Sequence, residues 1–203
     1  KSTSTTAVMI LFAILYFSIM LNAGLFDPLT KIMIQFAKGD PAKVIFATAV
    51  VAATVSLNGN GTTTTLIVCT AFIPIYKKLG LKMMNLGVIT ILMFTIMNLV
   101  PWAGPTARVI SVLGINEQEI LIALIPGMVV SVVYMLGVSI HLGLKERKRI
   151  GIQTLTNLDM DELVTTTNPD QLVLKRPENI WINAIMTISL LVMLMFGTFP
   201  TVF

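Results

Sequence analysis

The sequence predicts an all-α integral membrane protein of several spans, with one re-entrant helical hairpin and one discontinuous helix. Three observations carry this. The 203 residues are 55% hydrophobic and only 12% charged, with a mean hydropathy of +0.87, whereas a soluble domain carries roughly a quarter charged residues. The cations are clustered beside apolar runs, at Lys31, Lys38 and Lys43, at Lys77, Lys78 and Lys82, at "KERKR", and at Lys175 with Arg176. Such clusters mark the cytoplasmic side of a membrane. The apolar pattern is interrupted twice, at "NGNGTTTT" and at "VPWAGPTAR", by residues that end helices.

The first span covers residues 6–26, "TAVMILFAILYFSIMLNAGLF". At 1.5 Å per residue it matches a hydrocarbon core of roughly 30 Å. Its length, and the apolar runs behind it, read as a span and not as a cleavable signal. With no initiator Met, the chain is expected to lack an N-terminal piece and a large C-terminal one. Asp27-Pro28 stops the span. "PLTKIMIQFAKGD" then places Leu29, Ile32, Met33 and Phe36 on one face, the pattern of a short helix lying in the interface.

Residues 42–57 and 62–76 are apolar but only 16 and 15 residues long. Each rises about 22–24 Å as a helix, short of the core thickness. Lysines flank both outer ends. With both ends cytoplasmic, residues 42–76 form a re-entrant hairpin whose tip, "NGNG", lies inside the membrane. Two thin full spans with "NGNG" exposed outside remain open on the residues alone; the hairpin is the expectation. Residues 83–114 form a helix broken by Pro101, Gly104 and Pro105, resuming near Thr106 and ending by Gly114. Residues 119–144 return inward to "KERKR". Residues 145–179 are polar and of mixed charge, a cytoplasmic loop by the same rule, with turns at Asn168-Pro169 and Arg176-Pro177. Residues 180–203 hold a further transmembrane helix, with Trp181 as an interfacial anchor.

Irregular backbone at membrane depth survives only where protein buries it or where it lines a wet cavity. A half-helix starting at Thr62 aims N–H groups and a positive dipole end at the tip, and Thr62, Thr63 and Thr64 add hydroxyls. A carboxylate fits such a site. A half-helix ending near Leu57 offers carbonyl oxygens to a cation, joined by the side-chain oxygens of Asn58 and Asn60. Gly59 and Gly61 permit unusual backbone angles. An Asn-Gly turn outside the membrane is the simpler reading, and threonine hydroxyls also bond back to their own helix. Arg108 is placed at membrane depth, with no acidic residue in the neighbouring apolar runs. It reads as a fixed positive charge for a substrate carboxylate, against snorkelling to the outer interface. Asn98, just before the second break, can bond backbone or ligand. His141 reads as interfacial, Asn22 as a helix-packing polar residue, and Cys69 as a small apolar neighbour.

Enzyme motifs are absent: there is no Gly-x-Ser-x-Gly elbow, no His-Glu-x-x-His, no Cys pair and no phosphate loop. Nucleic acid is a poor partner, because no aromatic-basic surface accompanies the cations. The expectation is a secondary active transporter in the cell membrane and not an enzyme. Carriage of another organic anion, or a sensor that binds without transporting, are the alternatives.

The stretches "FAILYFSIMLNAGLFDP", "KGDPAKV", "SLNGNGTTTTLI", "PIYKKLGL" and "MNLVPWAGPTAR" together resemble the citrate–divalent metal–proton symporter family of the ion transporter superfamily. The resemblance is collinear over most of residues 9–114. It implies transport of citrate or a related di- or tricarboxylate, carried with Mg²⁺ or another divalent metal and coupled to protons. It also implies two inverted repeats, of which this chain holds most of the first, and a homodimer. It assigns substrate binding to the tip, Ser56, Asn58, Gly59, Asn60, Gly61, Thr62, Thr63 and Thr64, and to the broken helix, Pro101, Gly104, Pro105, Thr106 and Arg108, with Asn98 beside them. Asn58 and Asn60 stand where relatives carry Asp, and are the candidate metal ligands. Asn22 likewise replaces an Asp. Fewer carboxylates make Na⁺, held by neutral oxygens, a coupling ion to set beside H⁺.

Overall fold

The computed structural model describes residues 27–37, 39–115, 117–152 and 180–196, with residues 11–12, 15–16, 19–20 and 25. Every regular element among them is an α-helix. Most of the first expected span, including Asn22, lies outside the described residues, as do Lys38 and residues 153–179; the described pairs 11–12, 15–16 and 19–20 are helical.

Helix α1 is Asp27–Ala37. Ile34 and Ala37 are buried, Leu29 and Met33 are half-buried, and Ile32 and Phe36 face outward, so the residues it buries most deeply are not the four that its spacing puts on one face. Helix α2 is Pro41–Ser56, with Pro41 at its first turn and Asp40 as its cap. Proline suits that position because the first N–H groups have no partner in the helix. The Asp40 carboxylate accepts the Ala42 N–H at 3.0 Å.

Helix α2 is the centre of the molecule. Val44, Ile45, Ala47, Ala49, Val51, Ala52 and Val55 are all at 1% exposure or less, and α1, the next two helices, Gly61–Leu79 and Met83–Met97, and the long helix Glu117–Ile150 pack around it. Small side chains let backbones approach. The closest approach involves Gly143, where a Cβ would sit 2.7 Å from Ala42 Cα.

Helix α3 is Gly61–Leu79. Gly80 ends it in the left-handed region at φ +66°, with Gly80 N–H donating to Lys77 O and Leu81 N–H to Tyr76 O. That is a Schellman motif, closed by the buried Leu81. Tyr76 and Thr48 share a buried hydroxyl–hydroxyl bond of 3.1 Å that ties α3 to α2. Helix α4 is Met83–Met97 and α5 is Gly104–Leu113. The expected break between them falls at residues 98–103, and α5 starts two residues before Thr106 because Pro105 serves its first turn instead of interrupting it.

Helix α6 is Glu117–Ile150 and α7 is Ile180–Phe196. The sequence places the end of the helix at residue 144, with "KERKR" opening a loop. The structure carries the helix through to Ile150, so residues 145–150 are its last turns. Arg147, Lys148 and Arg149 stabilise it there against the negative end of the helix dipole. Arg149 also pairs with Glu146 three residues earlier. Among the described residues, the one helix long and apolar enough to cross a membrane is Gln118–Ile150; α2 and α4 are apolar but shorter.

One end of the fold is tied by charge. Arg147 lies 3.7 Å from the Asp40 carboxylate. The Arg149 guanidinium donates to Gly80 O at 2.8 Å and to the buried Glu146 carboxylate. The last turns of α6 therefore hold the start of α2 and the end of α3 together.

Candidate functional site

The opposite ends of α2 and α3 form a tip of three residues outside helix, Leu57, Asn58 and Gly59, followed by the cap residue Asn60. The N–H groups of Leu57, Asn58 and Gly59 bond back to the carbonyls of Thr54, Val55 and Ser56 at 3.3, 3.2 and 3.0 Å. This tight winding uses up the last carbonyls of α2. Gly59 then turns the chain at φ +72°.

The two asparagines build the turn. Asn58 Oδ1 accepts the Asn60 N–H at 2.6 Å. Asn60 Oδ1 accepts the N–H groups of Thr62 and Thr63 at 3.1 and 3.3 Å. An asparagine followed by a helix start is a strong N-cap. So two of the N–H groups that the sequence aims at a ligand are taken by Asn60. The Thr64 hydroxyl donates to Asn60 O at 2.9 Å, and the Ser56 hydroxyl to Ala52 O. Both are buried, and both are bonded to their own helix. Thr62 is exposed and Thr63 half-buried.

The break between α4 and α5 packs directly on this tip. The Trp102 indole N–H donates to Leu57 O at 2.8 Å, across 45 residues of sequence. A Cβ on Gly59 would lie 3.1 Å from Ala103 Cα, and one on Gly61 would lie 2.6 Å from the Phe94 ring. Pro101, Trp102 and Ala103 are buried. The Thr106 hydroxyl donates to Leu99 O at 3.0 Å and holds the break closed on α5. Ala103 caps α5 without a side-chain bond, so this helix start, unlike that of α3, keeps its N–H groups uncapped by any side chain.

Two buried polar atoms at this junction have no partner: Asn58 Nδ2, a donor, and Asn98 Oδ1, an acceptor. Buried polar groups are almost always paired, and leaving one unpaired costs about 1–3 kcal/mol.

Arg108 stands one helical turn into α5. With Pro105, Val109 and Val112 it makes the exposed face of α5, while Thr106, Ala107 and Ile110 face inward. Among the described residues no ion pair or hydrogen bond joins Arg108 to the tip. Gly104 is half-buried at the start of α5. No three His, Cys, Asp or Glu side chains gather among the described residues to hold a metal. His141 is exposed on α6, and Cys69 is half-buried on α3. The structure thus brings Asn58, Gly59, Asn60, Gly61, Asn98 and Pro101 to one junction and leaves Arg108 on the outward face beside it. Trp102 and Phe94 are the residues that sequence reasoning missed. A tryptophan between two prolines was the available signal.

A family model described as "Citrate transporter" matches residues 2–203. The chain is 41% identical over 195 residues to a citrate transporter of Bacillus subtilis (strain 168), covering 96% of this chain and 44% of that protein. It is 38% identical over 200 residues to the Mg²⁺/citrate complex secondary transporter of the same organism, covering 97% of this chain and 45% of that protein. It is 36% identical over 205 residues to an uncharacterized transporter of that organism, with 98% and 46% covered. The chain therefore spans a little under half the length of these relatives. No solved structure matches it.

Proposed function

The chain belongs to the citrate transporter family, a family of membrane proteins, and from that premise we propose that it is the substrate-binding first repeat of a secondary active transporter for citrate or a related di- or tricarboxylate. The observation that carries the proposal is the pair of unsatisfied amide atoms, Asn58 Nδ2 and Asn98 Oδ1, buried where the α2–α3 tip meets the α4–α5 break. Asn58 Nδ2 donates to a substrate carboxylate oxygen, and Asn98 Oδ1 accepts from a substrate hydroxyl or receives the coupling cation. The uncapped start of α5, at Gly104 and Thr106, adds N–H donors and the positive dipole end. Arg108 supplies the fixed charge that a multiply charged anion requires.

In this reading α2 and α3 form a re-entrant hairpin, α4 and α5 form one discontinuous span, and the tied end of the fold is cytoplasmic together with residues 151–179. The coupling ion is H⁺ or Na⁺. Likeness to the Mg²⁺/citrate transporter supports a divalent metal entering as cargo on citrate's own carboxylates. Asn58 and Asn60 remain its candidate protein ligands, and each would reach it by releasing a turn bond. The working unit is a homodimer in the plasma membrane.

The test is uptake of labelled citrate into vesicles holding the protein, with and without Mg²⁺ and a proton or sodium gradient. Uptake equal to that of empty vesicles sinks the reading, and saturable binding without uptake favours a sensor. Arg108→Gln is expected to raise KM for citrate at least about tenfold, the loss of a charge-assisted contact. An unchanged KM removes Arg108 from the site.

A further inference from the structure

Beyond transport, the tied end of the fold presents a surface of its own. Two carboxylates stand there among the described residues, Asp40 and Glu146. Both are buried, at 8% and 4% exposure, and both are neutralised by arginines of α6. The acidic charge that these two described residues bring to this end is therefore spent internally. The contacts of Arg147 with Asp40 and of Arg149 with Gly80 bring the start of α2, the end of α3 and the end of α6 to the same place. Lys43, Lys77, Lys82, Lys145 and Lys148 follow onto it, all exposed and none with an acidic partner among the described residues.

These cations stand beside outward apolar side chains. Lys31 and Lys43 flank Ile32 and Phe36, which are 57% and 52% exposed, and Lys43 Nζ sits 5.3 Å from the Phe36 ring centroid. Lys82 adjoins Met83 and Met84, the latter 74% exposed. Apolar groups at acyl-chain level with ammonium groups just above them is the arrangement of a surface seated at headgroup depth. A zwitterionic headgroup would leave five or six positive charges uncompensated. Phosphate-bearing anionic headgroups would balance them.

We infer that this end of the protein, built from Lys31, Lys43, Lys77, Lys82, Lys145 and Lys148, is a docking surface for anionic phospholipid headgroups. The arginines of "KERKR" hold the helices and its lysines hold the lipid.

The experiment is native mass spectrometry of the purified protein released from nanodiscs of equal parts phosphatidylglycerol and phosphatidylcholine. Wild type is expected to retain phosphatidylglycerol about threefold or more over phosphatidylcholine. The variant K43Q/K82Q/K148Q, checked for native helicity by circular dichroism, is expected to fall to about equal retention. Equal retention by wild type, or undiminished preference in a folded triple variant, overturns the inference. Should the triple variant misfold, salt decides it on the wild type: the preference must weaken between 0.15 M and 1 M NaCl, because exposed charges are screened. A salt-independent preference overturns it. So does a preference that emerges only when Asp159, Asp161 and Glu162 are neutralised, since the chain's own acidic run would then be the occupant.

Discussion

Gly59 answers to two constraints at once. Its φ of +72° lies where L side chains are strained, and its missing Cβ leaves room for Ala103 at 3.1 Å. Gly59→Ala is expected to lose at least about 1–2 kcal/mol of stability and to push the break off the tip, lowering citrate uptake; thermal melting and vesicle uptake read the two effects. A Gly59→Ala variant with wild-type melting and uptake would show that the junction is not close-fitting. Asn60 separates charge from geometry. Aspartate caps a helix as well as asparagine does, so Asn60→Asp is expected to melt with wild type, whereas Asn60→Ala loses about 1 kcal/mol. Equal melting of wild type and both variants would remove the cap as the reason for this residue. The Asn-Gly pairs were legible in the sequence as helix-ending residues. Their division of labour was not, because one asparagine turns the chain and the other caps the next helix, and both tasks use the same residue type.

At the scale of helices, the contact between α2 and α6 brings a glycine hard against backbone. Gly143→Leu would drive a side chain into Ala42, where a Cβ alone would already sit 2.7 Å from backbone. The expected loss is about 1–3 kcal/mol, the range for overpacking, seen as a lower melting temperature. Retention of the wild-type value would mean that α6 can move away from α2 without penalty. Helix existence here was readable from apolar runs and breakers: α1, α2, α3, α4, α5 and α7 stand close to where the spacing puts them. The end of α6 was not. A basic cluster signals the side of the membrane and says nothing about whether the backbone stays helical. What keeps residues 145–150 helical is Arg147 on Asp40 and Arg149 on Glu146 and Gly80, two of which are contacts with residues far away in sequence.

For the whole molecule, the re-entrant hairpin and the thin pair of full spans differ in where the tip stands. Position 60 is exposed on this chain. In a background with Cys69→Ser, Asn60→Cys is expected to react slowly with an impermeant maleimide and to be protected by citrate. Rapid labelling from outside, indifferent to citrate, would favour the thin spans. The candidate site was half legible. The sequence named the tip and the break as separate features, and the structure adds that they touch, through Trp102 and Leu57. Arg108 shows the other limit. Its place one turn into α5 was readable, but its direction was not, because the exposed face of α5 is set by which residues its neighbours bury.

The Trp102 bond to Leu57 O also has an optical consequence. The chain holds two tryptophans, Trp102 and Trp181, and Trp181 is 80% exposed on α7. With Trp181 replaced by Phe, the chain carries a single tryptophan, whose indole N–H is fastened to the tip and whose ring is buried at the break. Any event that parts tip from break releases that bond and changes the polarity around the ring, so the emission maximum becomes a label-free clock for opening of the junction, set by a residue the protein already owns.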